Sequence, residues 1–270
     1  MDDFFSLDAL ITTDYSRPGY FLAASGVFFG AIFIRYLAFS GIFYGAYLRL
    51  FANRHQRLVN QYIPTKRQLM KETGWSALTS AIFAITGVLT IILWQKGFTG
   101  IYADWTSMPW WYLPLSLGLV LLIHETYYYW AHRWMHKPSV FRYVHKVHHD
   151  SRKTTSWTAF SFHPLESILQ AVIIPLIIVV IPMHVSVLVV WLVLMTFSGT
   201  LNHAGIEIFP AGFNRSKIGK WLIGSTHHDL HHKQFRYNYG LYFTFWDRWM
   251  GTESPDFDKH FDSHTETRPN

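Results

Sequence analysis

Long apolar runs alternate along this chain with short stretches rich in basic residues and histidine. The first run extends from Tyr20 to about Phe51 and is interrupted by Arg35; the second extends from Trp75 to Trp94 and the third from Pro109 to about Ala131. A helix needs ~20 apolar residues to cross the hydrocarbon core of a bilayer, so these predict three long spans. The fourth run, Leu165 to about Leu201, is too long for one ordinary span and contains Pro175 and Pro182. Both prolines interrupt helical hydrogen bonding, so this run predicts a hairpin of two short helices turning near Pro182. The expected fold class is all-α: an integral membrane helical bundle, three long spans plus a helical hairpin, with a histidine-rich cap. No repeat, low-complexity stretch or flexible linker divides it. As a single domain it reads as a leading segment 1–19, spans within 20–131, a first histidine-rich region 132–164, a hairpin 165–203, a second histidine-rich region 204–253, and a loosely ordered polar tail 254–270.

Composition sharpens this picture. Half the chain is hydrophobic and 18% is aromatic, while cysteine is absent. The lack of cysteine excludes a disulfide framework, a thiolate zinc site and an iron–sulfur cluster. The net charge of +6 invites a nucleic-acid reading, but the placement of the charge argues against one. With the N-terminus outside, only Arg17 and Lys96 of the 23 Lys and Arg fall outside, and Arg35 falls in the membrane. Asp2, Asp3, Asp8 and Asp14 all precede the first span. This asymmetry fixes orientation by the positive-inside rule and makes the basic excess a membrane feature, able to attract anionic lipid or an acidic partner. Met1 is not followed by a basic segment, so no cleavable signal peptide is expected. Trp105, Trp110, Trp111 and Tyr112 fit an outer interfacial belt.

Candidate chemistry lies in histidine. Ten of the 16 histidines fall in two clusters: His132, His136, His145, His148 and His149, then His203, His227, His228, His231 and His232. The charge-based topology brings all ten to the cytoplasmic side, although it was drawn from Lys and Arg alone. His132 and His136 stand at i and i+4, one turn apart on a helix face. His145, His148 and His149 stand at i, i+3 and i+4, and His228, His231 and His232 repeat that spacing. Each triplet is expected to aim its rings into one common volume. A single histidine is usually a surface or hydrogen-bonded core residue; a pair and two copies of one spacing read as metal ligands. Ten imidazoles are too many for one ion, since zinc sites close with four ligands. Two ions with about five nitrogens each use them naturally.

These residues resemble the fatty acid hydroxylase and sterol desaturase superfamily of membrane non-haem di-iron oxygenases. The resemblance rests on the three histidine boxes and on four flanking segments. These are Tyr-Tyr-Tyr-Trp-Ala-His-Arg leading into His132, His163-Pro-Leu-Glu166, Asn202-His203-Ala-Gly, and Tyr237-Asn-Tyr-Gly-Leu-Tyr-Phe-Thr-Phe-Trp-Asp-Arg-Trp-Met-Gly-Thr252. The last resembles sterol C5-desaturases (lathosterol oxidases) more than the acyl hydroxylases. The resemblance implies two iron ions (zinc in some purified preparations) and dioxygen as co-substrate. It also implies hydroxylation or desaturation of a lipid C–H bond, with a sterol or acyl lipid as substrate. Electrons would come from a separate cytochrome b-type or ferredoxin-like protein on the cytoplasmic face, docked by Arg152, Lys153, Lys233 and Arg236. The membrane would be the endoplasmic reticulum or a bacterial inner membrane.

Other residues are expected around the ligands. Glu166 and Asp229 are candidate acceptors for the rings' second nitrogens, and His163 a loop-orienting partner. His227 reads as a ligand or as a donor behind one. His124, Glu125 and Tyr128 fall within the third span, where a polar side chain faces protein or a cavity; Arg35 is a possible partner for Glu125. Trp246, Asp247 and Arg248 suggest an Asp–Arg clamp supporting the last triplet. His55, His184, His260 and His264 read as bystanders. Two rival functions remain open from the residues. A membrane zinc hydrolase would usually carry His-Glu-x-x-His, which is absent. A metal transporter or sensor would place its ligands near mid-bilayer rather than at one face.

Overall fold

A computed structural model describes residues 12–53 and 55–266. Asp2, Asp3 and Asp8 and the last four residues of the tail lie outside the described residues. The elements follow the apolar runs closely. Helix α1 is Pro18–Ala52, α2 Lys66–Gln95, α3 Tyr112–Met135, α4 Pro138–Val144, α5 Lys146–His149, α6 Pro164–Val180 and α7 Val185–Asn202. Beyond them come α8 Ser225–Gln234, α9 Phe245–Trp249 and α10 Phe257–Thr265. A short 3₁₀ turn, Ser156–Phe160, lies between α5 and α6. Local chemistry sets the starts. Pro18, Pro138 and Pro164 open their helices, where the missing N–H costs nothing. The Thr65 side chain caps α2 by accepting from the Gln68 amide.

Three helices, α1, α2 and α7, are long and apolar enough to cross a membrane, and α6 is a shorter apolar helix. The hairpin forms as expected, with Pro182 in the turn; Pro175 does not interrupt it, because α6 continues through that residue. The third apolar run forms the 24-residue helix α3, ~36 Å long, but α3 is not among the three helices apolar enough to cross a membrane. His124, Glu125 and His132 lie in its second half, all buried.

Polarity in these helices is turned inside out. The inward face of α2 carries Glu72, Ser76, Thr79 and Ser80, each almost fully buried, while Met70, Leu78, Ile85 and Leu89 are exposed. Leu22, Ile34 and Ile42 of α1, Leu176 and Val180 of α6 and Val189 of α7 are exposed as well. Such a continuous apolar exterior suits lipid rather than water. Hydroxyls join the helices inside: Thr79 and Ser167 Oγ atoms lie 2.9 Å apart, Tyr36 Oη donates to the Trp157 carbonyl at 2.8 Å, and Ser40 Oγ to the Ser156 carbonyl at 3.0 Å. An apolar core of Val120, Ile173, Ile177, Ile178, Met183 and Trp191 fills the space between α3, α6 and α7.

The two ends of the bundle differ. At one end, β1 Ile101–Tyr102 and β2 Met183–His184 form a two-residue parallel pair. At the other end, the α1–α2 loop meets the chain after α7: the Val59 amide donates to the Gly205 carbonyl and the Glu207 amide to the Arg57 carbonyl, both at 2.9 Å. The tail is more ordered than its polar composition predicts. Phe257 and Phe261, at i and i+4 on α10, pack against Leu230 of α8, which is enough apolar face to hold a short helix.

Candidate metal centre

Nine of the ten clustered histidines converge, in two adjoining groups. His132, His136, His145, His149 and His231 form one; His148, His203, His228 and His232 form the other; within each group one nitrogen per ring lies within 4.8 Å of all the rest. Each triplet is therefore shared between groups instead of filling one common volume. Successive helical residues are rotated about 100°, so i and i+4 diverge by only about 40°, while i+3 turns about 60° the other way. His145 and His149 thus stay together, as do His228 and His232, while His148 and His231 each cross to the other group. The groups share a wall: the His149 and His232 ring centroids are 4.4 Å apart.

Hydrogen bonds fix the tautomers of four rings. His132 Nδ1 donates to the Tyr239 carbonyl at 2.8 Å, His231 Nδ1 to the Tyr237 carbonyl at 2.7 Å and His203 Nδ1 to the Gly199 carbonyl at 2.7 Å. His145 Nδ1 donates to Glu166 Oε1 at 2.8 Å. Each bond leaves Nε2 as a bare lone pair. His132 Nε2 and His145 Nε2 nevertheless face one another at 3.0 Å. Two lone pairs at that distance repel unless a cation lies between them. Burial holds His145, His148, His149, His228, His231 and His232 well below the usual imidazole range, with neighbouring rings adding to the effect. Burial alone pushes His203 down to about 4. A buried, neutral set of nitrogen donors fits a borderline divalent ion such as ferrous iron or zinc.

One strip of chain, 237–243, organises much of this. Its carbonyls at Tyr237 and Tyr239 anchor His231 and His132. Its amides at Leu241, Tyr242 and Phe243 all donate to the Glu125 carboxylate, the shortest at 2.7 Å from Tyr242. Asp247 accepts from the Tyr239 and Gly240 amides at 2.9 and 3.0 Å and from Thr252 Oγ1 at 2.8 Å. Burial pushes its carboxyl up to about 6 despite those bonds. Gly240 has no room for a side chain: a Cβ would lie 2.5 Å from the Phe243 carbonyl oxygen and 2.8 Å from Glu125 Oε1.

Several expected roles change. His227 stands outside both groups, its ring 5.2 Å from that of Phe257. Both its nitrogens are buried without a partner among the described residues. Asp229 is paired with Lys233 Nζ at 2.5 Å, one turn along α8, and accepts from Asn60 Nδ2 at 3.4 Å, instead of serving a ring nitrogen. His163 orients a loop, capping α6 through Nδ1 and the Leu165 amide at 3.3 Å. Asp247 and Arg248 do not clamp each other: Arg248 pairs with Glu253 at 2.9 Å, and Trp246 Nε1 donates to Thr126 Oγ1 at 3.1 Å. Arg35 is not paired with Glu125, and its Nε is buried without a partner among the described residues. Two buried acids escaped the sequence reading. Glu72 gathers Gln68, Ser151, Thr155 and Thr158, and Glu207 accepts from the Thr226 amide at the start of α8. Their only signal was a carboxylate beside an apolar run.

A small cavity of about 40 Å³ adjoins the four-ring group. His203 and His228 line it together with Phe83, Tyr128, Phe160, Phe162, Met195 and Leu241, and His124, Gln170 and Asn202 add polar groups. Two of the candidate ligands, His203 and His228, therefore face a largely apolar, aromatic chamber.

Comparison with known proteins gives this arrangement a family. Residues 117–252, half of the chain, match the model for fatty acid hydroxylase. The chain belongs to the fatty acid hydroxylase family. This family member is 34% identical over 157 residues to methylsterol monooxygenase 1 of Rattus norvegicus, covering 58% of this chain and 53% of that protein. It is 31% identical over 190 residues to lathosterol oxidase of Rattus norvegicus, covering 69% and 62%. With a Delta(7)-sterol 5(6)-desaturase of Gibberella zeae the identity is 30% over 242 residues, covering 88% and 69%. The chain thus spans between half and two thirds of the length of the first two relatives. No solved structure matches it. The matched segment runs from α3 to Thr252 and includes every ring of both groups.

Proposed function

We propose that this chain is a membrane-embedded di-iron oxygenase that hydroxylates or desaturates a C–H bond of a lipid, a sterol foremost. The observation that carries the reading is the convergence of nine imidazoles into two adjoining groups with facing lone pairs. The sterol preference draws on the names of the relatives.

The nine rings would hold two ions, one per group. When bound, ferrous iron supplies the electrons that reduce dioxygen and the oxidising power to take hydrogen from an unactivated C–H bond. The balance is one dioxygen, two further electrons and two protons per lipid. Hydroxylation yields one water and an added oxygen; desaturation yields two waters and a double bond. The protein's own part is positional. The Glu166, Tyr237, Tyr239 and Gly199 oxygens hold their imidazoles in the ligating tautomer. Phe83, Phe160, Phe162 and Met195 exclude water and hold the reacting carbon beside His203 and His228. Both further electrons come from a separate cytochrome b-type or ferredoxin-like donor, which would restore the ferrous state. Exposed Arg152, Lys153 and Arg236, with Lys233, form its basic landing ground on the cytoplasmic face of the endoplasmic reticulum or a bacterial inner membrane.

The test is lipid mass spectrometry of cells with and without the chain, joined to dioxygen uptake by iron-loaded protein given a reductant. A lipid gaining one oxygen or losing two hydrogens, in step with dioxygen consumed, is expected. Lipid turnover without dioxygen or reductant would replace this reading with a zinc hydrolase, and metal flux without any lipid product with a transporter.

A further inference from the structure

His124 belongs to neither ring group, yet it is 1% exposed and lines the cavity that reaches His203 and His228. Its tautomer is fixed. Trp191 Nε1 donates to His124 Nδ1 at 3.2 Å, and an indole nitrogen can only donate. Nδ1 is therefore an acceptor, and it also receives the Tyr242 hydroxyl at 2.9 Å. The ring's proton must sit on Nε2, which carries the one donor that neither Trp191 nor Tyr242 uses. The position is built to hold this geometry. Glu125, the next residue, binds the Tyr242 amide at 2.7 Å, so one residue of the 237–243 strip is gripped at backbone and hydroxyl by neighbours on α3. An acceptor stands in the same wall: Asn202 gives Nδ2 to the Leu241 carbonyl at 2.9 Å, leaving Oδ1 buried and without a partner among the described residues.

We propose that His124 is a specificity-determining residue. Its Nε2–H recognises a hydroxyl on the lipid substrate, whose reacting carbon then lies toward the His203 and His228 end of the cavity. A hydroxyl both accepts and donates, which matches an imidazole N–H and a side-chain carbonyl in a largely apolar chamber. A donor left without a partner in that chamber is costly, so a lipid lacking the oxygen is disfavoured. The reading deepens the proposed function, since it names what the oxygenase site selects for.

Iron-loaded protein in lipid nanodiscs, titrated with radiolabelled cholestanol and with cholestane, which lacks only the hydroxyl, tests it without turnover. Wild type is expected to prefer cholestanol by about tenfold or more. His124→Asn keeps an acceptor near Nδ1 but loses the cavity donor, and the preference should fall to about one with cholestane binding unchanged. His124→Gln keeps a donor near Nε2 and should retain most of the preference. Iron content measured on each variant separates lost recognition from lost folding. No preference in wild type, or one kept by His124→Asn, overturns the proposal. Preference without dioxygen-dependent turnover would instead sink the oxygenase reading and leave this one standing.

Discussion

The five-ring and four-ring groups share the rings of α5 and α8 but differ in their third source, the end of α3 for the first and the end of α7 for the second, and they are held differently. In the five-ring group, His132, His145 and His231 each donate Nδ1 to a fixed oxygen, and Phe141, Phe235 and Tyr239 pack around the rings. In the four-ring group only His203 is anchored in this way. Nδ1 of His148, His228 and His232 is buried without a partner among the described residues, and the small cavity opens beside this group. On the proposed function this contrast divides the labour: the group with more anchored rings would fix one ion, and the group with fewer nitrogens would leave room beside the cavity.

The largest effect expected comes from removing rings. His231→Ala and His228→Ala should each abolish lipid oxidation. Metal analysis should show about half the iron retained in His228→Ala, because the pinned group survives, and less in His231→Ala; equal losses would erase the distinction. Acid comes next. The buried rings have folded-state pKa values below their unfolded value of about 6.5, so their contribution to stability is present above that pH. It is lost as pH falls, because the unfolded chain takes up protons that the fold refuses. Melting of metal-free protein in detergent should steepen below pH ~6.5, by as much as ~1.4 kcal/mol per ring per pH unit. A flat profile from pH ~7 to ~5 would mean the rings are not dry.

Smaller changes sharpen the contrast. Glu166→Ala frees the His145 ring and should weaken iron binding in the five-ring group by roughly 10–100-fold, leaving the other group's affinity near wild type in a competitive chelator titration. Gly240→Ala forces the 237–243 strip outward and should cost ~1–3 kcal/mol of unfolding free energy, with iron lost first from the five-ring group. Reversing the rim charges, as in Lys153→Glu with Arg236→Glu, should touch neither group: iron content holds while the apparent requirement for electron donor rises, an effect that salt reproduces on wild type.

Much of this was legible in the residues. Four apolar runs gave the helices, and histidine spacing gave eight of the nine converging rings, with His203 marked by its place at the end of an apolar run. What spacing did not give was the partition, because a triplet read as one patch hides the opposite rotations of i+3 and i+4. The carbonyls of Tyr237 and Tyr239 were invisible, since backbone acceptors leave no mark in side-chain identity. Asp247 and Arg248 looked like a pair because they are adjacent, but neighbours on a helix point about 100° apart. Asp229 was claimed by Lys233, a partner of the ordinary i, i+4 kind.

The inverted polarity of α2 leads to a counterintuitive rule for altering this protein. Apolar contact gains little when the surroundings are themselves hydrocarbon, so the fit of small hydroxylated side chains does the joining. Swapping Ser76 or Thr79 for leucine would raise any greasiness score while prising α2 off its neighbours. Here the route to a looser molecule runs through more oil, not less.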